Sequence, residues 1–378
     1  MKATWKSALR DYSMLLALAA IWLFFGLKQS VFLSSRNLSL LLIELSITAC
    51  LALGMLLVLL PGQIDLSAGS GVGLAGAMAA VLVFWHGVPA PAALLAALTV
   101  CVLVWSAMGA LIVRQRIPAF IITLGGLLIF KGLHWLTINN QTVPVAEGGK
   151  SNAFSLLTTY YVPPLGGYAL AVLVVAALVV SSLRARARRA AHGFQVPDTE
   201  RTFLGLFITG QLVLLLLIVT NQYRGLPLPA LVLGSLALLV HLLTAHTPFG
   251  RYLYAIGSNE EAAFISGVPI QRTVITAFAL MGGVVALTGF MQTAYAGAST
   301  ATVGSLMELD AVAACVIGGT SLRGGRGSVT GVLFGALIMA SLLNGMTLMA
   351  VSPELKFIAR GVVLALAVWV DVKLNSEG

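Results

Sequence analysis

The chain has 378 residues, of which 59% are apolar and 9% are charged, and its formal net charge is +9. Soluble domains carry about 25% charged residues, so this composition excludes an ordinary soluble enzyme and indicates a polytopic membrane protein. A basic chain can also bind nucleic acid, but here Lys and Arg are scattered through loops between apolar runs. We therefore expect membrane lipid, and no nucleic acid, around the chain.

Apolar runs recur along the whole sequence. Because a helix needs about 20 apolar residues to cross roughly 30 Å of hydrocarbon, these runs predict one transmembrane domain over 1–378 with twelve spans, the tenth of them short. They lie near 14–25, 40–60, 72–85, 91–113, 119–138, 168–183, 203–220, 228–246, 273–293, 309–319, 329–348 and 355–370. The predicted fold class is an all-α polytopic membrane helix bundle.

The loop charges predict the orientation of this bundle. Three basic residues precede the first span and no small-residue cleavage site follows it, which is typical of an uncleaved anchor with its N-terminus inside. Of the 22 Lys and Arg residues, 15 then fall in inside loops and five in outside loops. This positive-inside bias predicts that both termini lie in the cytoplasm. It also places the arginine-rich loop 184–201 there, as a retention signal or lipid contact.

The polar segment 249–272 separates two long apolar runs and has the features of a short helix. Ser258 and Asn259 can cap its start, acids follow in the first turn, and Gly267 with Pro269 can end it. A helix of about two turns is marginal alone, so we expect its apolar positions Ala262, Ala263, Phe264 and Ile265 to dock on another subunit. The residues that we expect to form this contact are Asn259, Glu260, Glu261, Ala262, Ala263 and Gly267.

Two segments interrupt the apolar pattern, near 61–70 and 318–328. Each combines an apolar run, a Pro-Gly or Gly-Gly break, short hydroxyl residues and a glycine-rich span, which we interpret as a weak internal repeat. Broken helices leave backbone groups free for an ion or substrate; a tight turn at the inner surface is the alternative. The break residues of interest are Asp65, Ser67, Thr320 and Ser321.

Polar residues within the spans are candidates for a translocation path. Asp65 and Asp310 are costly in a membrane and are consistent with a cation or proton relay, although we favour helix capping for both. Asn344, Glu44 and Gln292 either hydrogen-bond within the bundle or line the path.

No cofactor, metal or catalytic residue is predicted. Gly71, Gly73 and Gly76 spell GxGxxG without the βαβ unit that a dinucleotide needs, so we interpret them as helix-packing glycines. The segment 144–151 resembles a phosphate loop but has Pro144 in place of the first glycine. The five histidines are dispersed, and the three cysteines lie in apolar sequence without metal spacing.

Four motifs in chain order carry a family resemblance: IDLS at 64–67 followed by Gly69 and Ser70, FGRYLYAIGSNEEAAFISGV from Phe249, ELDAVAACVIGGTSL from Glu308, and Asn344-Gly345. Together they resemble permease subunits of bacterial ABC sugar importers of the ribose and xylose type. The resemblance implies a core of ten spans. A pair of spans within 168–223 is inserted, as in the longer xylose-type members, which favours xylose as the substrate.

The same resemblance implies a homodimer, cytoplasmic ATP-binding subunits that hydrolyse ATP, and a periplasmic sugar-binding protein. The helix from Asn259 to Gly267 would then be the coupling helix of a permease that is not itself an enzyme. Three alternatives remain at this point: a gradient-driven secondary transporter that uses Asp65 and Asp310, an ABC permease for another sugar or branched-chain amino acids, and an intramembrane enzyme.

Overall fold

The computed structural model describes residues 2–148, 150–196 and 198–376. In them the fifteen helices are α1 (Lys2–Lys28), α2 (Ser35–Leu59), α3 (Ala68–Phe84), α4 (Ala90–Gln115), α5 (Ala119–Thr137), α6 (Ala153–Thr159), α7 (Pro164–Ala191), α8 (Thr199–Asn221), α9 (Leu228–His246), α10 (Pro248–Ser258), α11 (Glu260–Ile265), α12 (Ile270–Ala296), α13 (Met307–Ile317), α14 (Val329–Leu348) and α15 (Pro353–Ser376). The strands are β1 (Val143–Pro144), β2 (Tyr161–Val162), β3 (Leu226–Pro227) and β4 (Ala298–Ser299), with β1 antiparallel to β4 and β2 antiparallel to β3. The predicted all-α membrane bundle is confirmed.

Every predicted span coincides with a helix, and α6, α10 and α11 are the short helices between them. Within the described ranges, eight helices are long and apolar enough to cross a bilayer, namely α2, α4, α5, α7, α8, α9, α12 and α14. Shorter apolar stretches occupy Met14–Lys28 and Ala68–Phe84. Helix α13 has 11 residues, or about 16 Å of length at 1.5 Å per residue, and so covers only about half of the hydrocarbon layer.

The core surrounds α2 and α12, which are buried over 78% and 67% of their most apolar windows. Close contact in this core depends on glycine. A Cβ at Gly76 would overlap the Thr293 hydroxyl, and a Cβ at Gly289 would lie 2.5 Å from the Val72 carbonyl oxygen. Helix pairs in membranes approach closely where such small residues meet, so the GxGxxG glycines are packing residues, as the sequence predicted.

Helices α7 and α8 form a peripheral pair. Each is buried over only 6% of its apolar window, and the two helices pack mainly against each other. The β2–β3 ladder, with Tyr161 opposite Pro227, brings the two ends of this excursion together. Pro197, in the arginine loop of this pair, and Gly149, in the segment that resembles a phosphate loop, lie outside the described residues, as do positions 1, 377 and 378.

Both predicted helix interruptions are present. Helix α2 ends at Leu59 and α3 begins at Ala68, while α13 ends at Ile317 and α14 begins at Val329. The two interruptions meet, because the Gly325 amide donates a hydrogen bond of 2.9 Å to the Leu60 carbonyl oxygen. They therefore form one structural unit and are not two independent surface turns.

Candidate functional sites

Helix α11 has the local structure that its sequence predicts. Asn259 is its N-cap, and the Asn259 Oδ1 atom accepts a hydrogen bond of 2.9 Å from the Ala262 amide. The helix ends before Gly267, whose φ of +78° lies in the left-handed region that glycine adopts without strain. The Val268 amide then returns to the Ala263 carbonyl oxygen at 3.0 Å.

The apolar side chains of α11 divide between the bundle and the surface. Ala263 is buried in the chain, whereas Phe264 and Ile265 are 72% and 78% exposed. The end of α11 therefore presents a two-residue apolar surface, Phe264 and Ile265, outside the fold. Docking of this surface on another subunit stays a prediction.

Helix α10 connects α11 to both helix interruptions. A Cβ at Gly257 would overlap the Leu60 carbonyl oxygen and the Gly325 nitrogen, so backbone lies directly against backbone here. The Tyr254 hydroxyl donates a hydrogen bond of 2.9 Å to the Gly327 carbonyl oxygen. We call these contacts of Leu60, Tyr254, Gly257, Gly325 and Gly327 the inner junction, after the side of the membrane that the loop charges predict. The sequence showed the glycines but gave no sign that they meet.

Asp65 is fully buried and hydrogen-bonded on both oxygens. Its Oδ1 atom accepts from the Ser67 amide at 2.8 Å and from the Ser67 hydroxyl at 2.5 Å, and its Oδ2 atom accepts from Trp105 Nε1 at 2.6 Å. The capping prediction is therefore wrong in detail: Ser67 occupies the N-cap position of α3 and makes no side-chain capping bond. Asp65 instead stabilises the turn and joins it to α4.

Thr320 and Ser321 belong to the other interruption and are also buried. The Ser321 hydroxyl accepts from the Arg323 amide at 3.2 Å, and the Ser321 amide donates to the Arg326 carbonyl oxygen at 2.9 Å. These bonds close a local turn in the segment that also contains Gly325 and Gly327. Both residues therefore lie beside the inner junction.

Asp310 does not cap α13 either. Leu306 holds the N-cap position, and the Asp310 carboxylate lies 3.2 Å from Arg360 Nε of α15. The two atoms form an ion pair without hydrogen-bond geometry. The sequence showed two isolated charges in separate spans, and only the packing of α13 against α15 brings them together.

A polar cavity of about 260 Å³ lies between α2, α12, α13, α14 and α15. Its polar lining consists of Glu44, Thr48, Gln292, Tyr295, Thr302, Ser305, Asp310, Thr347 and Arg360. Asn344 lies behind it, donating from Nδ2 to Glu44 Oε2 at 3.1 Å and accepting at Oδ1 from Asn37 at 2.9 Å. We call this space the outer cavity, after the orientation that the loop charges predict. Tyr295 and Arg360 were not predicted as path residues, since an aromatic and an arginine near span ends are common membrane anchors.

Apart from Asp65 and Ser67, which lie in the first interruption, the predicted site residues separate into two groups at opposite ends of α12. The α11 residues, Ser321 and Thr320 belong to the inner end, and Asp310 and Asn344 to the outer cavity. From Ile270 to Gln292, α12 rises about 33 Å at 1.5 Å per residue. Among the described residues, no group of three or more His, Cys, Asp and Glu side chains could hold a metal ion.

Comparison with known proteins gives consistent results over nearly the whole chain. Residues 37–368 match the family described as "Branched-chain amino acid transport system / permease component". The chain is 40% identical over 364 residues to the xylose transport system permease protein XylH of Escherichia coli K12, covering 96% of this chain and 92% of that protein. It is 39% identical to XylH of Haemophilus influenzae, covering 96% of each chain.

A more distant relative is the ribose import permease protein RbsC of Escherichia coli K12, 31% identical over 97% of this chain and 95% of that protein. No solved structure gives a significant match. The family match covers most of the chain and the relatives cover nearly all of it, so the chain belongs to this family of transport-system permease components.

Proposed function

We propose that this chain is the transmembrane subunit of an ATP-driven importer that moves a monosaccharide, D-xylose by preference, across the bacterial inner membrane. The observation that carries this is the 40% identity to xylose permeases over 96% of the chain. Although the family description names branched-chain amino acids, both groups of relatives above are sugar permeases, and this favours a sugar as the substrate.

Helix α11 is the coupling helix of this proposal. Two exposed apolar side chains at the tip of a short helix are unfavourable in water and suit a partner that covers them. Beside them lies a groove of about 930 Å³, lined in part by Arg116, Glu260, Phe264 and Arg272. The occupant that we propose for the tip and the groove is a cytoplasmic ATP-binding subunit.

The inner junction supports a mechanical role for this contact. Because Gly257 lies in backbone contact with Leu60 and Gly325, a displacement of α10 and α11 cannot be absorbed by side-chain rotation. It moves the ends of α2 and α14 together. ATP-driven closure of the partner would in this way switch the bundle between outward and inward access.

The remaining partners follow from the same proposal. A second copy of the permease completes a homodimer, a periplasmic binding protein delivers the sugar, and both termini face the cytoplasm. The positive-inside bias supports this orientation, with 15 basic residues in the inside loops and five in the outside loops. The chain itself has no reaction to catalyse.

A gradient-driven secondary transporter is less well supported. It would need a buried acid that binds and releases a proton or cation. Asp65 has donors on both oxygens, and Asp310 is paired with Arg360. A cation at either carboxylate would compete with the donors of Asp65 or with Arg360.

The test of the proposed function is removal of the exposed tip. Phe264→Ala and Ile265→Ala remove surface that touches little within the chain, so we expect normal insertion but loss of ATPase pull-down and of ATPase stimulation. Phe203→Ala is the matched control, because Phe203 is 67% exposed on α8, away from α11.

Two further variants act on the shape of α11. Ala263→Glu places a charge in its buried contact, and Gly267→Val forces a β-branched residue to positive φ. Both should separate transport from ATP hydrolysis. Wild-type ATPase binding and stimulation in Phe264→Ala, Ile265→Ala and Gly267→Val together would exclude the coupling assignment.

A further inference from the structure

The outer cavity contains a preorganised hydrogen-bonding group within one protomer. Both oxygens of Glu44 are held: Oε1 accepts from the Tyr295 hydroxyl at 3.0 Å, and Oε2 accepts from Asn344 at 3.1 Å. Asn344 is fixed in turn by Asn37, which also donates to the Phe32 carbonyl oxygen at 2.8 Å. Each carboxylate oxygen can accept a second hydrogen bond, so Glu44 is oriented and still able to accept one.

The rest of the lining offers donors and acceptors in similar measure. The Gln292 amide and the Ser305 hydroxyl supply both, the Tyr295 hydroxyl still accepts, and the Arg360 guanidinium supplies donors. Apolar atoms of Ile47, Met307 and Leu343 complete the wall. A small ring with several hydroxyl groups and apolar C–H edges matches this mixture, whereas an anion would meet the carboxylates of Glu44 and Asp310.

We propose that the outer cavity is a binding subsite for one neutral monosaccharide of the pentose class, formed within a single protomer. This inference rests on the proposed sugar import and adds the place where the sugar is held. The volume of about 260 Å³ lies just below the range of about 300–1,000 Å³ for drug-sized ligands, which suits a single sugar ring. The exposed residues Thr302, Ser305, Tyr295 and Thr347 form its mouth.

Protection from chemical labelling tests the subsite without requiring transport. Ser305→Cys places a thiol at the mouth, while the native cysteines Cys50, Cys101 and Cys315 are buried. With the permease and its ATPase in nanodiscs, and with neither binding protein nor ATP, we expect millimolar D-xylose to slow maleimide labelling of the introduced thiol. Equal concentrations of NaCl should have no effect. Thr302→Cys is the substitute position should Ser305→Cys not fold.

Three substitutions, each combined with Ser305→Cys, test which groups bind the sugar. Gln292→Met keeps the shape but removes the amide, so we expect the D-xylose concentration for half-protection to rise about fivefold, equivalent to about 1 kcal/mol at about 1.4 kcal/mol per tenfold. Gln211→Met makes the same change on the exposed side of α8 and should leave protection unchanged. Glu44→Gln keeps an acceptor oxygen, so its effect on a sugar should be smaller than that of Gln292→Met.

Three other results would distinguish the sugar subsite from the proposed coupling contact of α11. Absence of protection by D-xylose or D-ribose, in a complex whose ATPase still binds α11, would overturn the subsite and leave the import function standing. Protection by NaCl that is lost in Glu44→Gln would replace the sugar with a cation and overturn it as well. Sugar protection that persists when ATPase binding is independent of α11 would instead remove the proposed coupling and keep the subsite.

Discussion

Helices α2 and α8 are about equally apolar, yet they occupy opposite environments. Helix α2 is buried over 78% of its most apolar window and α8 over 6%. In a soluble protein such a difference would be visible as hydrophobic periodicity. In a membrane the lipid is as apolar as leucine, so hydrophobicity alone does not decide which helix lies inside.

Two features distinguish the core from the periphery. The first is small residues that allow backbones to touch, as at Gly76 and Gly289. The second is polar side chains that reach another helix, as Asp65 reaches Trp105. If these features, and not apolar content, define the core, changing them should disrupt folding, whereas similar changes on α7 and α8 should not.

The largest effect should come from filling a glycine contact in the core. Gly76→Leu would overlap the Thr293 hydroxyl and approach the Gly289 carbonyl oxygen, which requires α3 and α12 to separate. Overpacking costs about 1–3 kcal/mol or more, and we expect little folded protein by size-exclusion chromatography. On α8, a Cβ at Gly210 would meet nothing within 4 Å, so Gly210→Leu should elute as wild type. Equal loss in both variants would contradict the distinction.

An effect of similar size concerns the buried carboxylate of the first interruption. Asp65→Ala leaves the Trp105 Nε1 group and the Ser67 amide without their acceptor, and each unsatisfied buried group costs about 1–3 kcal/mol. Asp65→Asn keeps one acceptor oxygen, so its melting temperature should lie between wild type and Asp65→Ala.

Ionisation of Asp65 is not needed for the proposed transport, so folded Asp65→Asn protein should still take up sugar in proteoliposomes. Complete loss of uptake at normal melting temperature in Asp65→Asn would revive the gradient-driven alternative.

A smaller effect is expected at the inner junction. Tyr254→Phe removes the hydrogen bond to Gly327, a change of about 0.5–1.5 kcal/mol, without altering the α11 surface. We expect ATPase binding to persist while more ATP is hydrolysed per sugar imported. Tyr168→Phe on the peripheral helix α7 is the control. An unchanged ratio of ATP to sugar in Tyr254→Phe would show that the junction does not transmit the movement.

The smallest effect is expected from the largest deletion. Because β2 and β3 lie side by side at the base of the α7–α8 pair, residues 164–224 can be replaced by a short Gly-Ser linker. Removing two spans keeps the orientation of all the others. ATPase assembly and sugar uptake should persist. Loss of assembly with normal insertion would show that the α7–α8 pair is part of the working permease.

Local chemistry explains the parts of the structure that were predictable. The spans follow from apolar length, the α11 cap from Asn259, and the end of α11 from Gly267, because each depends on residues within a few positions of one another. The positions of the two interruptions followed for the same reason, as did the packing role of the GxGxxG glycines.

The capping predictions for Asp65 and Asp310 failed because they considered only neighbours in the sequence. The partner of Asp65 Oδ2 is 40 residues away on α4, and the partner of Asp310 is on α15. Which α11 side chain the bundle itself covers was also beyond local reasoning, since a helix of six residues has too few positions to define a face.

The sequence by itself determined that this is a membrane bundle, where along the chain its apolar spans lie, and which permease family it belongs to. Only the tertiary structure decided that the two interruptions and α10 meet at the inner junction, and that Glu44, Asn344, Asp310 and Arg360 surround or support one cavity. The physical reason is that apolar residues are equally stable against lipid and against protein. Which helices touch is therefore decided by close backbone contacts and by polar pairs between distant residues.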